Sequence, residues 1–369
     1  MSGGRGIAIS VIALGTLAST QAGGGERWTY LWYGVPLQGE SPEPRFAYGA
    51  AADEMCGRLF VFGGDSASGL QNDLWSFDPA EARFEKLEPA ALSPLPPPRA
   101  SAITLWIPER AALLVYGGRG EGALQDDAWT FDFPTRWWHR LEPPPGEKPI
   151  PREGSAGAYD PEGRQAFLFG GLTREAGVAR SLGDTWRLDL ETGRWHRLGD
   201  GPRERTHAAL LAVPGGGRIL LLGGEDVATG ELLGDAWLLD TEDGTWSSVG
   251  VPGTEPVAAR RSGAIAVFAD EDRVLLVMGR GCRTELPLPV VMSLDLSTGR
   301  WSPVDDAGWM QGHRRPPDRW LSGGSGLYGR GAGERDRALA GLFLFAGLAD
   351  DSGSDEPVRL GDVWLLRPL

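Results

Sequence analysis

Cysteine and histidine are scarce in this 369-residue chain, and each scarcity removes a class of chemistry. Of the two cysteines, Cys56 precedes one strand-like run and Cys282 follows another; neither belongs to a C-x-x-C pair or has a histidine at metal-ligand spacing. They are expected on opposite rims, beyond the roughly 7 Å Cα separation that a disulfide tolerates. Basic charge is also in deficit. The 36 Lys and Arg face 50 Asp and Glu, giving a net charge of −14. That argues against sequence-independent binding to nucleic acid or an anionic membrane, and weakly favours a cationic or neutral partner. No segment keeps a helical apolar period, and with 55 Gly and 28 Pro the chain reads as strands and turns. The apolar run from Ile7 to Ala18 is too short for a comfortable membrane span, which takes about 20 residues. Arg5 precedes it and Ala18-Ser19-Thr20-Gln21-Ala22 follows, so residues 1–25 read as a secretory signal peptide. The expected location is periplasmic or extracellular, with a cytoplasmic protein carrying an accessory N-terminal segment as the alternative. No lipobox cysteine is present to suggest a lipid anchor.

What the chain has is repetition. In residues 58–87 an apolar run, Leu59-Phe60-Val61-Phe62, stops at Gly63-Gly64; Asp73-Leu74-Trp75 then opens a second run ending at Asp78, and Phe84 and Leu87 close a third. The same order returns around Gly117-Gly118, Gly170-Gly171 and Gly223-Gly224, with Trp129, Trp186 and Trp237 after them. A degraded copy surrounds Gly279-Arg280-Gly281, and a sixth surrounds Ala346-Gly347 and Trp364. The first four steps are about 53–56 residues long, near the roughly 50 residues of a propeller blade. Each unit holds four runs too short for helices. The second run is the most apolar, so burial between neighbouring blades is expected. The glycine pair permits a turn that side chains would obstruct. Most of the 15 Trp sit at repeat positions, where their area suits wedge-shaped gaps.

Double glycine, spaced aromatic and aromatic-terminated fourth strand, repeated in register, resemble the kelch family over residues 26–369. The resemblance implies an all-β, six-bladed kelch-type β-propeller, with the galactose oxidase-like propeller architecture but not its copper site. The last repeat ends at Val363-Trp364-Leu365-Leu366 without a fourth strand, and Arg27-Trp28-Thr29-Tyr30-Leu31 matches the fourth strand of other units. Residues 27–32 are therefore expected to complete the C-terminal blade and close the ring.

The resemblance also supplies tests. The galactose oxidases hold copper through two Tyr and two His; the Tyr-His dipeptide of that site is missing. The plant specifier proteins hold iron through E-x3-D-x3-H; no histidine here has Asp four residues before it. The bacterial sialic acid mutarotases need only acid and base groups in the funnel, which Glu153 and His207 could supply. No metal or other cofactor is expected. The acidic stretch Asp350 to Glu356 lacks the spacing of a calcium hand and reads as a solvated insertion.

An arginine opens each repeat: Arg45, Arg99, Arg152, Arg205, Arg260 and Arg319. A basic axial ring for an acidic ligand is one reading; the sameness of the position favours the other, a structural pairing in every blade. The residues that change between repeats are more informative. These are Phe46, Ala100, Glu153, Thr206, Arg261 and Trp320 after the arginines, and Asp65, Arg119, Leu172, Glu225, Arg280 and Leu348 after the second strands. In kelch folds these loops share a face. The expected ligand surface combines Arg119, His207, Arg280 and Trp320 with Trp309, His313, Arg314 and Arg315 of a long inter-blade segment. Aromatics beside guanidinium groups suit a peptide carboxylate or a sugar. The reading is a monomeric, non-enzymatic module that binds protein or carbohydrate, without nucleic-acid binding or membrane insertion. A metal-independent sugar mutarotase, epimerase or lyase is the alternative. His139 and His196 are expected on the blade exterior.

Overall fold

The computed structural model describes residues 29–281, 291–306, 319–320, 323–327, 341–349 and 358–368. Its regular structure is strand, with two one-turn 3-10 helices, Pro108–Arg110 and Val257–Ala259, among the described residues. The chain is an all-β propeller. Each blade is an antiparallel meander running outward from the axis. In the third blade the strands are Ala156–Asp160, Gln165–Glu175, Val178–Asp189 and Trp195–Asp200. Residues 45–303 make five such consecutive sheets, where the repeat count predicts six; the expectation of six equivalent blades is corrected to that extent. The other strands assemble differently. Gly341–Ala349 pairs with Val358–Pro368, which pairs in turn with Thr29–Val35, in register from Tyr30 opposite Pro368 to Val35 opposite Val363. Asp305–Asp306 lies parallel to Thr29–Val35 on the edge of that sheet. The leader segment, Cys282 and the acidic stretch 350–356 lie outside the described residues.

Small residues predominate on two of the inner strands, Gly49–Asp53 and Ala156–Asp160, whereas Ile103–Ile107 and Ile265–Phe268 carry larger side chains. The apolar runs of the second strands are buried: Leu113, Val115, Ile219, Leu220, Leu221, Val274 and Val277 have no measurable exposure. Tryptophans fill the wedges between blades. Trp138, Trp195 and Trp246 on outer strands meet Phe62, Tyr116 and Phe169 on the second strand of the preceding blade, with ring centroids 5.4, 4.8 and 5.3 Å apart. The recurrent Asp before each outer strand makes the turn. Its carboxylate accepts from main-chain N–H groups two or three residues on, as Asp189 does from Glu191 and Thr192.

Four of the recurrent arginines, Arg45, Arg99, Arg152 and Arg205, are structural. Arg152 is 1 % exposed. Its Nε donates to Ile150 O, one NH1 proton to Gly170 O at 3.0 Å, and NH1 and NH2 form a fork on Asp184 at 2.7 and 2.8 Å. Four of its five N–H donors are therefore satisfied. Asp184 also accepts from Trp186 Nε1 at 2.6 Å, which explains the Asp-x-Trp spacing. Arg45, Arg99 and Arg205 make the same set with Asp73, Asp127 and Asp235. The backbones of Arg99, Arg152 and Arg205 bind the preceding blade. Arg205 N donates to Leu182 O at 3.0 Å, and Arg205 O accepts from Gly171 N at 2.9 Å. This close approach is what the glycine pair serves. Gly170 has φ +62°, and a Cβ there would stand 2.5 Å from Arg205 O.

In the fifth blade the arginine stands one residue later, and the turn one residue earlier, than the sequence pattern predicts. Arg261, not Arg260, takes the recurrent place: its Nε donates to Ala258 O and NH1 to Met278 O. Met278-Gly279, not Gly279-Arg280-Gly281, is the counterpart of the glycine pair, with Met278 at φ 58°. The sequence alignment slipped because methionine replaced the first glycine.

Burial pushes the carboxyls of Asp127, Asp184 and Asp235 up, but the arginine hydrogen bonds and charge, with the indole N–H, outweigh it and hold them below their ordinary 3.8. Depressed carboxyl pKa values stabilise the fold above about pH 4 and cease to as pH falls through the folded-state values. Urea unfolding should therefore show stability falling below about pH 4. Asp184→Asn should cost about 3 kcal/mol at pH 7, by leaving Arg152 buried without its counter-charge, and should flatten that acid limb. Gly170→Ala should cost ~2 kcal/mol or more, because it combines a left-handed backbone with a carbonyl in the way.

Candidate functional site

The residue after each recurrent arginine pairs with the residue after the glycine turn. The pairs are Phe46 with Asp65, Ala100 with Arg119, Glu153 with Leu172, Thr206 with Glu225, Ser262 with Arg280 and Trp320 with Leu348. One register in every sheet puts these positions on one face of the propeller, around the axis. Ser262 stands where Arg261 was expected, because of the one-residue shift.

The next residue inward takes a left-handed backbone in each blade: Ala47, Ser101, Gly154, His207 and Gly263, with φ between 52° and 63°. That twist turns the peptide to the neighbour. Ser101 N donates to Ala47 O at 2.6 Å, Gly154 N to Ser101 O at 3.0 Å, His207 N to Gly154 O at 2.8 Å and Gly263 N to His207 O at 2.8 Å. A belt of main-chain hydrogen bonds thus runs from blade to blade and floors the mouth. No periodicity in the sequence announces it, since residue types as different as alanine, serine, glycine and histidine share the position.

Charged side chains stand above the belt. Arg119 bridges two blade boundaries, with NH2 3.0 Å from Asp65 Oδ2 and Nε 3.5 Å from Glu153 Oε2. Arg174 NH2 is 3.1 Å from Glu153 Oε1. Farther round, Arg280 NH2 contacts Glu225 Oε2, and His207 Nδ1 is 4.0 Å from Glu225 Oε1. Acid and base alternate, but their depths differ. The side chains of Glu153 and Glu225 are 9 % and 14 % exposed, those of Arg119, Arg174 and Arg280 36 %, 50 % and 50 %. The carboxylates are sunk and the guanidinium heads stand toward solvent, oriented and still able to donate outward.

Of the residues singled out from sequence, Arg119, His207 and Arg280 come together here. Trp320 has its backbone at the equivalent bridge. Trp309, His313, Arg314 and Arg315 lie outside the described residues. Arg174 was missed, because it lies in an extended hairpin that the other repeats do not predict; Glu225 was seen only as a variable loop residue. His139 is exposed on an outer strand, as expected, and His196 is half-buried on another. Cys56 is exposed and free, and its hydrogen bond to Asp53 raises the thiol pKa, away from thiolate reactivity. No group of three or more metal-ligating side chains occurs among the described residues, and no helix among them is long and apolar enough to cross a membrane.

His207 packs over Gly154, with Thr206 Oγ1 3.2 Å from its Nδ1. Burial, with the Arg280 charge nearby, lowers its pKa from 6.5 to about 4, so the imidazole is neutral at pH 7. Above pH 6.5 folded and unfolded chains are both deprotonated there. Between 6.5 and about 4 the unfolded chain takes a proton that the folded chain refuses, so stability falls as pH falls. Denaturation midpoints across this window should slope for the natural chain and level out for His207→Asn, asparagine being tolerant of the left-handed backbone.

Comparison with known proteins agrees with this architecture. Residues 26–171 and 142–323 match the profile described as the KLHDC2/KLHL20/DRC7 Kelch-repeats domain. The chain is 28 % identical over 244 residues, 61 % of its length, to the dynein alpha chain of the flagellar outer arm of Chlamydomonas reinhardtii. It is 28 % identical over 238 residues, 58 % of its length, to host cell factor 2 of Homo sapiens, and 28 % over 243 residues, 60 %, to host cell factor of Drosophila melanogaster. The matched stretches span 5 %, 28 % and 16 % of those proteins. With its paired glycines, buried arginines and outward-running meanders, the chain belongs to the Kelch-repeat family.

Proposed function

We propose that this propeller is a protein-binding module, and that it takes a partner segment on the mouth ringed by Arg119, Arg174 and Arg280. One observation carries the proposal: arginines at this mouth are held by sunken carboxylates with their heads half exposed, whereas the clasp arginines are buried and spent. Pre-positioned guanidinium groups suit the carboxylates and carbonyls of a peptide and need little ordering on binding. Trp309, His313, Arg314 and Arg315 would add aromatic surface and charge from the neighbouring segment. The mixed sheet made from both ends of the chain is proposed as the sixth, closing blade. In support, its inner strand Gly323–Leu327 neighbours both Gly49–Asp53 of the first blade and Ile265–Phe268 of the fifth.

Affinity capture from native extract, read by mass spectrometry, tests the binding proposal. Arg119→Glu and Arg280→Glu should each weaken capture of the partner by about tenfold or more. Trp309→Ala and Arg314→Ala should weaken it with circular dichroism unchanged. Capture that is indifferent to all four changes would remove the mouth from consideration. Turnover on a sugar panel that is lost with Glu153→Gln would point instead to the mutarotase-type alternative.

A further inference from the structure

The approach to each buried arginine is a short extended segment, and one of the four is unlike the rest. Pro42, Pro96, Pro149 and Pro202 stand three residues before Arg45, Arg99, Arg152 and Arg205. These prolines and arginines are all buried, and each arginine's Nε donates to the carbonyl of the residue two before it. The two residues between them differ: Glu43-Pro44, Pro97-Pro98, Ile150-Pro151 and Arg203-Glu204. The fold therefore accepts charge, β-branching or proline there. Two exposed prolines at Pro97-Pro98 answer no demand of the arginine's hydrogen bonding.

Ahead of the second blade the extended form continues upstream, as Ser93-Pro94-Leu95-Pro96-Pro97-Pro98-Arg99. Proline fixes its own φ at about −65° and keeps the residue before it extended, which leaves polyproline II as the conformation of residues 93–98. No residue from Ser93 to Arg99 takes a positive φ, and residues 94–98 join no strand and make no main-chain hydrogen bond to another main-chain group. A polyproline II helix repeats every three residues, and the contacts follow that period. Ser93 Oγ accepts from Trp138 N at 2.8 Å, Pro96 O accepts from Asn72 Nδ2 at 2.9 Å, and Arg99 is forked on Asp127. The ridge of Ser93, Pro96 and Arg99 thus faces the protein. The two other ridges, Pro94 with Pro97 and Leu95 with Pro98, are exposed. Leu95 is 52 % exposed and Leu92, just upstream, 95 %. No charged side chain interrupts the strip between Glu88 and Arg99.

A polyproline II helix pinned along one ridge, with two apolar ridges turned outward, is the form that aromatic-lined grooves receive. Its conformation is fixed before a partner arrives, so little chain entropy is lost on binding. Grooves that also demand a basic residue beside the prolines are excluded, because Arg99 has no exposure and four of its donors are taken. We propose that residues 94–98 are a docking site for a partner protein that carries an uncharged groove of aromatic rings. The site goes beyond the arginine mouth and needs neither its charges nor its ligand.

Titration of an isotope-labelled WW domain that takes uncharged proline–leucine peptides, with the full chain as titrant, tests the proposal. Its amide resonances should shift around the aromatic rings, with one domain bound per chain. Pro97→Arg combined with Pro98→Glu copies Arg203-Glu204 of the fourth blade. That variant should keep the circular dichroism spectrum and the Tm, and weaken binding about tenfold or more. Leu95→Asp, on the second ridge, should weaken it likewise. Ile150→Ala, at the corresponding approach to the third blade, and Arg119→Glu, at the mouth, should leave it unchanged. An SH3 domain, whose groove adds an acidic pocket for a flanking arginine, should bind at least about tenfold more weakly. Absence of shifts at millimolar chain, shifts that survive Pro97→Arg with Pro98→Glu, or preference for the SH3 domain would each overturn the proposal. Sedimentation of the chain alone covers the other occupant: self-association that the same double variant abolishes would assign the strip to a second copy of this chain and overturn it too.

Discussion

A buried guanidinium fastens each of the first four blades. Its side chain ties the start of the inner strand to the glycine turn and the third-strand aspartate of its own blade. In the second, third and fourth blades its peptide N–H and C=O are also held by the blade before it. Burying an arginine is costly unless nearly every donor is met, and here four of five are. The arrangement therefore couples sequence positions that look unrelated. Arginine, double glycine, aspartate and tryptophan recur together because each completes the hydrogen bonding of another. The fifth blade shows the same coupling under change. The arginine-to-turn spacing shortens from 18 residues to 17, Met278 accepts the left-handed backbone, and Met292 stands where other blades have tryptophan.

The clasp also sorts the arginines by task. Those in the node are inaccessible and cannot reach a ligand. Those at the mouth, Arg119, Arg174 and Arg280, sit over carboxylates and remain open. The two ends of the axis diverge for a related reason. At one end the inner strands begin beside the second-strand termini, where polar loops meet. At the other they turn back through aspartate-capped hairpins, such as those of Asp53 and Asp270, and acidity gathers there as a by-product of turn chemistry.

Much of this was legible in the residue string. The apolar second runs, the glycine pairs and the outer tryptophans identify strand order and inter-blade packing, since each reports a local steric demand repeated in register. The bridge positions that converge on the mouth were readable as well, because they flank those markers at fixed offsets. Three things were not. The shift at Arg261 and Met278 needed knowledge of which carbonyl accepts NH1. The link from Arg119 to Asp65 and Glu153 joins residues on three blades, and sequence spacing says nothing of side-chain reach. The belt through Ala47, Ser101, Gly154, His207 and Gly263 depends on backbone dihedrals that no single residue type marks at these positions.

That belt has a consequence for how such a protein changes over time. Its bonds run between peptide groups, so the side chains riding on it are not what fastens one blade to the next. Four residue types already occupy its five described positions. A lineage can rewrite the floor of its recognition surface, exchanging methyl, hydroxyl, hydrogen or imidazole, while the ring beneath stays laced by the same amides.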